Sequence, residues 1–425
     1  MILRRIFLLL VILSLAGCEG LPLPEPSPTV EPSPAVTPTV PPPPKDTPTP
    51  SGPVTLTLWL PPEFDPESGT PAGEILKTRL NEFSARRPNA RVDVRIKALD
   101  GPGGLLDSLS TASAAAPLAL PDLVALPRPT LEVAALKGLL HPFDELTDSI
   151  DNSDWYDYAR QLARVQNSTF GLPFAGDAMI MVYRTTMISE PPHTLTTTLT
   201  TRGPLAFPAA DPQALFPLAL YQAYGGKIQD DQGRPFLETN SLAEVLTFFQ
   251  EAEKVGLTPF WLTQYQTDDQ SWEAFTEKRA DMAVTWASRY LKEMTADTNA
   301  APLPTPDGVP STLATGWVWA LASSNPEHLL LSAQLAEFLS ESNFLAQWDT
   351  ASGYLPPRPS ALAAWQDTTA QALAGQVMSS ARLYPSADIL TSLAPPINQA
   401  LTAILKQQTD PLSAAQDAVS SLAKP

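Results

Sequence analysis

Cysteine, histidine and clustered positive charge are scarce in this sequence. The 425 residues include one cysteine, Cys18, and three histidines, His141, His193 and His328. A disulfide within the chain is therefore impossible, and no histidine pair has the spacing of a zinc site, so we expect neither a metal nor another cofactor. The formal net charge is −18, without a dense Lys/Arg cluster. Such a charge disfavours nucleic acid and anionic lipid as partners, because their phosphates would be repelled.

Catalytic motifs are also missing. The sequence has no His-Glu-x-x-His, no Gly-x-Ser-x-Gly and no glycine-rich loop of the phosphate-binding kind. The acids Glu63 and Asp65 could serve a glycosidase only if a pair of carboxyl groups stood about 5–10 Å apart across a cleft. We therefore expect a protein that is not an enzyme, with a hydrolase that uses cleft carboxylates as the remaining catalytic alternative.

Long hydrophobic runs are absent after the N-terminus. Arg4 and Arg5 precede the apolar run Ile6–Leu13, which is shorter than the roughly 18 residues of a membrane span. Leu15–Cys18 then resembles a bacterial lipobox, which predicts a signal peptide over 1–17 and a lipid on Cys18. A plain secretory signal is the alternative. Cleavage before Cys18 removes the two arginines and changes the formal charge from −18 to −20.

Proline is abundant, and it is concentrated near the N-terminus. Residues 20–52 contain thirteen of the 47 prolines, interleaved with Thr, Ser, Val and Glu. A segment of this composition has too little apolar surface to fold and favours extended polyproline-like conformations. We interpret 18–52 as a disordered stalk that holds a globular region away from a membrane. A recognition tract for proline-binding domains is the alternative.

Strand and helix patterns alternate after the stalk. Val54–Leu60 and Arg91–Ala98 alternate as strands, Glu74–Arg86 has helical spacing, and Asp122–Leu126 is a third apolar strand. This order predicts an α/β fold with a mostly parallel sheet and helices on both faces. Ligand sites in such sheets lie beyond the carboxyl ends of the strands, which points to the loop Pro61–Asp65.

The stretch Phe170–Arg184 is the centre of the sequence pattern. Gly176 and Asp177 precede an apolar run that predicts a strand buried on both faces. A flexible glycine beside an acid could form a hinge that carries a ligand-binding group, and an ordinary loop leading into a core strand is the alternative. After Arg184 the Thr-rich segment Pro191–Thr201 has no useful periodicity and is expected to be a loop.

Several short motifs occur in an order typical of one family. In sequence order the main ones are Pro121–Leu126, Leu136–Asp144, Phe170–Asp177, Tyr224–Gly226, Ala280–Ala283, Gly316–Trp317 and Gly353–Pro356. Together with the lipobox and stalk, this order resembles the extracellular solute-binding proteins of family 1, the maltose-binding-like receptors of ABC importers. The resemblance extends from about Val54 to the C-terminus.

The resemblance implies a periplasmic-binding-protein-like fold of type II with two α/β lobes. One lobe would comprise 53–177 and 307–358, and the other 178–300 and 359–425. The chain would cross between them at hinges near 175–178 and 301–312. A ligand would bind in the cleft between the lobes, and closure of the lobes would bury it.

The resemblance also implies a set of ligand-binding residues. Eight positions match the family's cleft, and two of them, Tyr224 and Tyr354, would form secondary walls. The eight are Glu63, Arg128, Asp177, Gln213, Tyr224, Trp286, Trp317 and Tyr354. For Glu63 and Arg128 a solvated loop charge is the alternative. Aromatic rings suit sugars, whose C–H faces pack on them while the hydroxyls bond to polar side chains. Five other tryptophans lie in periodic apolar segments and are expected in the core: Trp59, Trp155, Trp319, Trp348 and Trp365.

These features predict a monomeric lipoprotein on the outer face of the cytoplasmic membrane. It would capture a polar solute with faces that stack on aromatic rings, which indicates a carbohydrate, and deliver it to the permease of an ABC importer. The membrane would be contacted through the lipid alone. The alternative is a sensor or scaffold on the same fold without transport. Relatives usually carry a Trp-containing helix at the position of 191–204 in this chain. This difference leaves open whether a permease would dock on this protein as it docks on the relatives.

Asp177 gives the first testable expectation. If its carboxylate faces the ligand at a hinge, Asp177→Ala should weaken binding at least about tenfold and change the melting temperature of the unliganded protein little. Calorimetric titration and thermal melting measure the two effects separately. Equal losses of binding and stability would instead indicate a structural role.

Overall fold

The structure is a computed structural model that describes residues 53–323 and 325–422. The predicted signal peptide, Cys18 and the proline-rich stalk lie outside these residues. Within the described ranges, no helix combines the length and apolar character needed to cross a membrane.

Helices and strands alternate through the first part of the fold. Thr70 begins α1, where its hydroxyl accepts a hydrogen bond from the Gly73 amide, and Leu76, Leu80 and Phe83 bury one face of that helix. The elements in chain order are β1 Val54–Leu60, α1 Pro71–Arg86, β2 Ala90–Ile96, α2 Leu105–Ala115, β3 Leu123–Pro127, α3 Arg128–Leu136, α4 Asp157–Ala163, β4 Arg164–Val165, β5 Ser168–Thr169 and β6 Leu172–Arg184.

Helices dominate the remainder of the chain. In order, the elements are α5 Leu195–Leu199, β7 Leu205–Ala206, α6 Leu215–Ala223, α7 Thr239–Lys254, α8 Asp268–Thr276, β8 Met282–Trp286, α9 Ala287–Glu293, β9 Thr298–Ala301, β10 Thr312–Leu321, α10 Pro326–Phe338, α11 Ser342–Ser352, α12 Pro359–Ala363, α13 Thr368–Ser380, β11 Ala381–Leu383, α14 Ala387–Leu405 and α15 Pro411–Leu422.

Nine strands form one mixed sheet in the order β2-β1-β3-β10-β6-β8-β7. Strand β9 pairs with β6 and β11 pairs with β10, beside this path. β1 is parallel to β2 and β3, and β7 is parallel to β8. The two long strands β6 and β10 run antiparallel to each other, and each is antiparallel to its other partner along the path. The α/β class is confirmed, with antiparallel pairing at the centre of the sheet.

Strand β6 joins two groups of strands. Its first half, Leu172–Ala178, pairs with β10, whereas Met179–Tyr183 pairs with β8 and Met181–Arg184 with β9. Every residue of β6 is buried, as its continuous apolar sequence predicts. The change of partner falls between Ala178 and Met179, next to the expected hinge near 175–178.

One local prediction is wrong. The Thr-rich segment 191–201, expected to be a loop, contains the short helix α5, because Thr194 and Thr197 form a reciprocal capping box at its start. Further along, helix α7 begins with Glu238 at the N-cap position.

Gly176 occupies a position without room for a side chain. A Cβ atom there would lie 2.2 Å from the Tyr158 hydroxyl oxygen and 2.9 Å from the Leu355 carbonyl oxygen. Gly176 and Leu355 also exchange backbone hydrogen bonds of 2.6 and 2.8 Å. Its φ lies outside the left-handed region that favours glycine. The glycine therefore has a steric reason, close packing, and its expected role in a hinge stays a prediction.

Replacement of Gly176 should destabilise the fold. We expect Gly176→Ala to lower the unfolding free energy by roughly 1–3 kcal/mol, because the added methyl group overlaps buried atoms. The double variant Gly176→Ala/Tyr158→Phe should recover part of this loss, since it removes the nearest atom. Chemical denaturation measures both changes.

Gly375 in α13 is the matched control. Its added Cβ would meet nothing closer than a Leu362 methyl carbon at 3.8 Å. Gly375→Ala should therefore raise stability by about 0.5–1 kcal/mol through helix propensity. Equal stability of Gly176→Ala and wild type would refute the packing argument.

Candidate functional site

Four of the expected site residues lie around the end of β1 and the centre of the sheet. Glu63 follows β1, and its Oε2 accepts a hydrogen bond of 3.1 Å from the Tyr354 hydroxyl. The rings of Phe64 and Trp317 meet edge to face, with centroids 4.8 Å apart, and Phe64 and Tyr354 are 5.9 Å apart in the same way. Glu63, Trp317 and Tyr354 thus form one aromatic and acidic cluster, which we call the Glu63 cluster.

Asp177 lies near this cluster and is buried. Its Oδ1 accepts hydrogen bonds from the amides of Ser288, at 3.0 Å, and Ala178, at 2.9 Å. Its Oδ2 accepts a 2.5 Å hydrogen bond from the Ser288 hydroxyl. Burial raises the pKa of Asp177 to about 6, against the lowering effect of the Ser288 and Ala178 hydrogen bonds and of Lys292. Since these partners would be lost in Asp177→Ala, we now expect that change to lower the melting temperature as well.

Lys292 links the Glu63 cluster to α9. Its Nζ lies 4.2 Å from the centroid of the Tyr354 ring, a cation–π geometry. Its charge lowers the pKa of both Glu63 and Asp177, although burial of the Glu63 carboxyl raises that pKa overall. The stem of Lys292 packs on Gly353, where a Cβ would lie 2.8 Å from the lysine Cγ.

Ser288 and Lys292 were not among the residues expected in the site. They are four residues apart in α9, which directly follows β8, so they share one face of that helix. The four-residue spacing is the one sequence signal for this pair. It does not predict a site by itself, because the sequence does not show which face of the helix lies against β6.

Gln213 and Trp286 meet in a separate hollow of about 170 Å³. Asp211 lies in the same wall, where its carboxylate caps α6 by accepting hydrogen bonds from the Gln213 and Leu215 amides, each at 3.0 Å. Burial raises the pKa of Asp211. Trp286 is half-buried and pairs with Met179 in the sheet, two residues after Asp177. The hollow combines an indole with amide and carboxylate groups, a composition suited to a hydroxyl-bearing ligand.

Arg128 and Tyr224 lie outside both groups. The Arg128 guanidinium is buried, where it bonds to Glu132 Oε1 at 2.7 Å and to the Leu162 carbonyl at 2.9 Å. It therefore fastens α3 to the end of α4, and we leave it out of the proposed site. Tyr224 follows α6, and the nearby acids of α7 and its burial raise its pKa.

The five tryptophans expected in the core are buried, each at 8% exposure or less. Among the described residues, His, Cys, Asp and Glu form no group of three or more that could hold a metal ion.

Comparison with known proteins identifies a family that this chain matches. The family model described as bacterial extracellular solute-binding protein matches residues 80–374. The maltotriose-binding protein of Pyrococcus abyssi (strain GE5 / Orsay) is 29% identical over 198 residues, a match that covers 43% of this chain and 42% of that protein. The chain thus spans less than half the length of this relative.

Solved structures share the fold. A cyclo/maltodextrin-binding protein in complex with maltotetraose superimposes with a TM-score of 0.71 at 20% identity, covering 88% of this chain and 97% of the other. The sugar-binding protein MalE of Xanthomonas citri gives a TM-score of 0.71 at 19% identity, with coverages of 87% and 98%. At these identities the likeness establishes the fold alone.

The raised pKa of Asp177 predicts a pH-dependent stability. Between about pH 4 and pH 6 the folded protein keeps a proton that the unfolded chain has released, so the unfolding free energy falls as the pH rises. Asp177→Asn imitates the protonated group and should lack this contribution. The melting temperature of the variant relative to wild type should therefore increase from about pH 4 to about pH 7. Asp388→Asn, at an exposed position of α14, is the control. A difference that does not change with pH would contradict the raised pKa.

Proposed function

This chain belongs to the bacterial extracellular solute-binding proteins, and we propose that it is a carbohydrate receptor. The observation that carries the proposal is the hollow formed by Gln213, Asp211 and Trp286 near the buried carboxylate of Asp177. A half-buried indole offers a face for sugar C–H groups, and the amide and carboxylates offer partners for hydroxyls. The name of the relative from Pyrococcus abyssi, a maltotriose-binding protein, supports a sugar of the maltotriose kind as the ligand.

We propose that the ligand binds between two lobes, with the Glu63 cluster on one side and the Gln213–Trp286 hollow on the other. The lobes would comprise 53–177 with 307–358, and 178–300 with 359–425. Strand β6 supports this division because its two halves pair with different strands. The contact of Lys292 with Tyr354 would then join the lobes, and opening would break it.

The proposed cellular role is delivery of the bound sugar to an ABC importer. The extracellular character of the family supports a place outside the cytoplasm. The lipobox at Leu15–Cys18 supports an anchor in the outer face of the cytoplasmic membrane, and the proline-rich segment would act as the spacer. In this role the protein binds its ligand without changing it chemically.

Trp286 and Gln213 test the proposal. Trp286→Ala removes the stacking surface, and Gln213→Ala removes a hydrogen-bonding group. We expect each to weaken maltotriose binding by about tenfold or more, measured by isothermal titration calorimetry. Neither should lower the melting temperature in proportion, because Gln213 is exposed and Trp286 is half-buried.

Trp261→Ala is the matched control. Trp261 is also half-buried, but it packs edge to face on Tyr265, outside the residues that line the hollow. Its removal should leave the affinity unchanged. The carbohydrate assignment fails if wild-type protein binds neither maltotriose nor mannotriose but binds an amino acid or a polyamine.

A further inference from the structure

Two acidic side chains, Asp211 and Asp268, line the Gln213–Trp286 hollow. Lysine, arginine and histidine do not occur among its lining residues. The chain as a whole has a formal net charge of −18, which attracts cations to its surface. In such a protein, a hollow with two carboxylates would favour a cationic ligand over a neutral one unless each negative charge is compensated nearby.

The carboxylate of Asp211 is compensated by the N-terminus of α6. Its oxygens accept hydrogen bonds from the Gln213 and Leu215 amides, each at 3.0 Å. The amide groups at a helix N-terminus carry a partial positive charge, equivalent to roughly half an elementary charge. Both oxygens of Asp211 therefore have donors that the backbone supplies.

The carboxylate of Asp268 is compensated by a different group, the guanidinium of Arg289 on α9. Arg289 Nε donates a hydrogen bond of 2.5 Å to Asp268 Oδ2, and the Thr285 hydroxyl donates to the same oxygen at 3.1 Å. Burial raises the pKa of Asp268, whereas Arg289 and Thr285 act to lower it. The Asp268 side chain keeps 21% of its exposure, so its carboxylate is accessible from the hollow that it lines.

Two further acids share the Arg289 guanidinium. Asp269 accepts a hydrogen bond from Nη2, and Glu293 Oε1 accepts one of 3.4 Å from Nη1. The side chains of Asp269 and Glu293 are 78% and 48% exposed, and neither lines the hollow. Water screens their charges, so the acid of this group that acts on the hollow is Asp268.

We propose that Arg289 is a specificity-determining residue, which keeps the hollow selective for neutral ligands by compensating Asp268. Arg289 does not line the hollow itself. The inference rests on the proposed function for the place where the ligand binds, and it adds the charge of the ligand that this place accepts. A carboxylate paired with a guanidinium still accepts a hydrogen bond from a hydroxyl, whereas an ammonium group would compete with Arg289 for that carboxylate.

Removal of the Arg289 charge tests the inference. Arg289→Gln leaves Asp268 without its cation, so we expect the affinity for spermidine to rise by about tenfold or more in isothermal titration calorimetry. The gain should shrink from about 0.05 M to about 0.5 M salt, because salt screens the attraction between charges. Arg289→Lys keeps the positive charge, and its spermidine affinity should stay within about threefold of wild type.

The double variant Asp268→Asn/Arg289→Gln separates charge from structure. It lacks both members of the ion pair, so its spermidine affinity should return to within about threefold of wild type. A displacement of α9 caused by the loss of Arg289 would persist in the double variant. If the spermidine affinity of the double variant stays as high as that of Arg289→Gln, the compensation of Asp268 is refuted.

Arg234→Gln is the matched control for the change in net charge. Arg234 also pairs with an acid, Asp230, but its side chain is 72% exposed and lies outside the residues that line the hollow. The variant changes the formal charge of the protein by the same amount, so it should bind spermidine and maltotriose as wild type does. A gain in spermidine affinity as large as that of Arg289→Gln would assign the effect to net charge and overturn the inference.

The outcomes separate this inference from the proposed function. If wild type binds maltotriose and Arg289→Gln binds spermidine no better than wild type, the role of Arg289 is overturned and the receptor function stands. If wild type binds no saccharide and Arg289→Gln gains spermidine binding, the carbohydrate assignment fails and the role of Arg289 stands. Tight binding of spermidine by wild type would overturn both.

Discussion

The structure depends on the close backbone contact between Gly176 and Leu355. Their reciprocal hydrogen bonds bring the loop after α11 against the middle of β6, where β6 changes partners from β10 to β8 and β9. The Tyr158 hydroxyl packs against Gly176 as well, in the space that a side chain at position 176 would need. Tyr354, the residue before Leu355, is thereby held where its hydroxyl reaches Glu63. A backbone contact that leaves no room for a Cβ thus fixes the position of a polar side chain in the site.

Elements with strong local signals could be predicted from the sequence. Helix α1 has a capping threonine, a proline in its first turn and one apolar face, and β6 is continuously apolar. The α/β class follows from the order of such segments, and the family resemblance follows from the order of the short motifs. Helix α5 was missed because its stability comes from hydrogen bonds between threonine side chains and the backbone rather than from apolar periodicity.

Site residues were harder to predict, because a side chain's role depends on partners that are distant in sequence. Arg128 follows a strand, as a ligand-binding residue often does, yet its guanidinium bonds to Glu132 and to carbonyl groups at the end of α4. Arg289 gives no signal in the sequence, since an arginine on a short helix is ordinarily solvated. Its ion pair with Asp268 results from the contacts that α8 and α9 each make with β8.

Helix α9 makes two contacts with the residues around the middle of β6. Ser288 donates a hydrogen bond to Asp177, and Lys292 lies over the ring of Tyr354. The two side chains are four residues apart and therefore share one face of the helix. In the proposed lobe division, Asp177 and Tyr354 belong to the first lobe and α9 belongs to the second. Opening of the lobes would therefore break both contacts together, and it would leave the carboxyl group of Asp177 without its Ser288 partner.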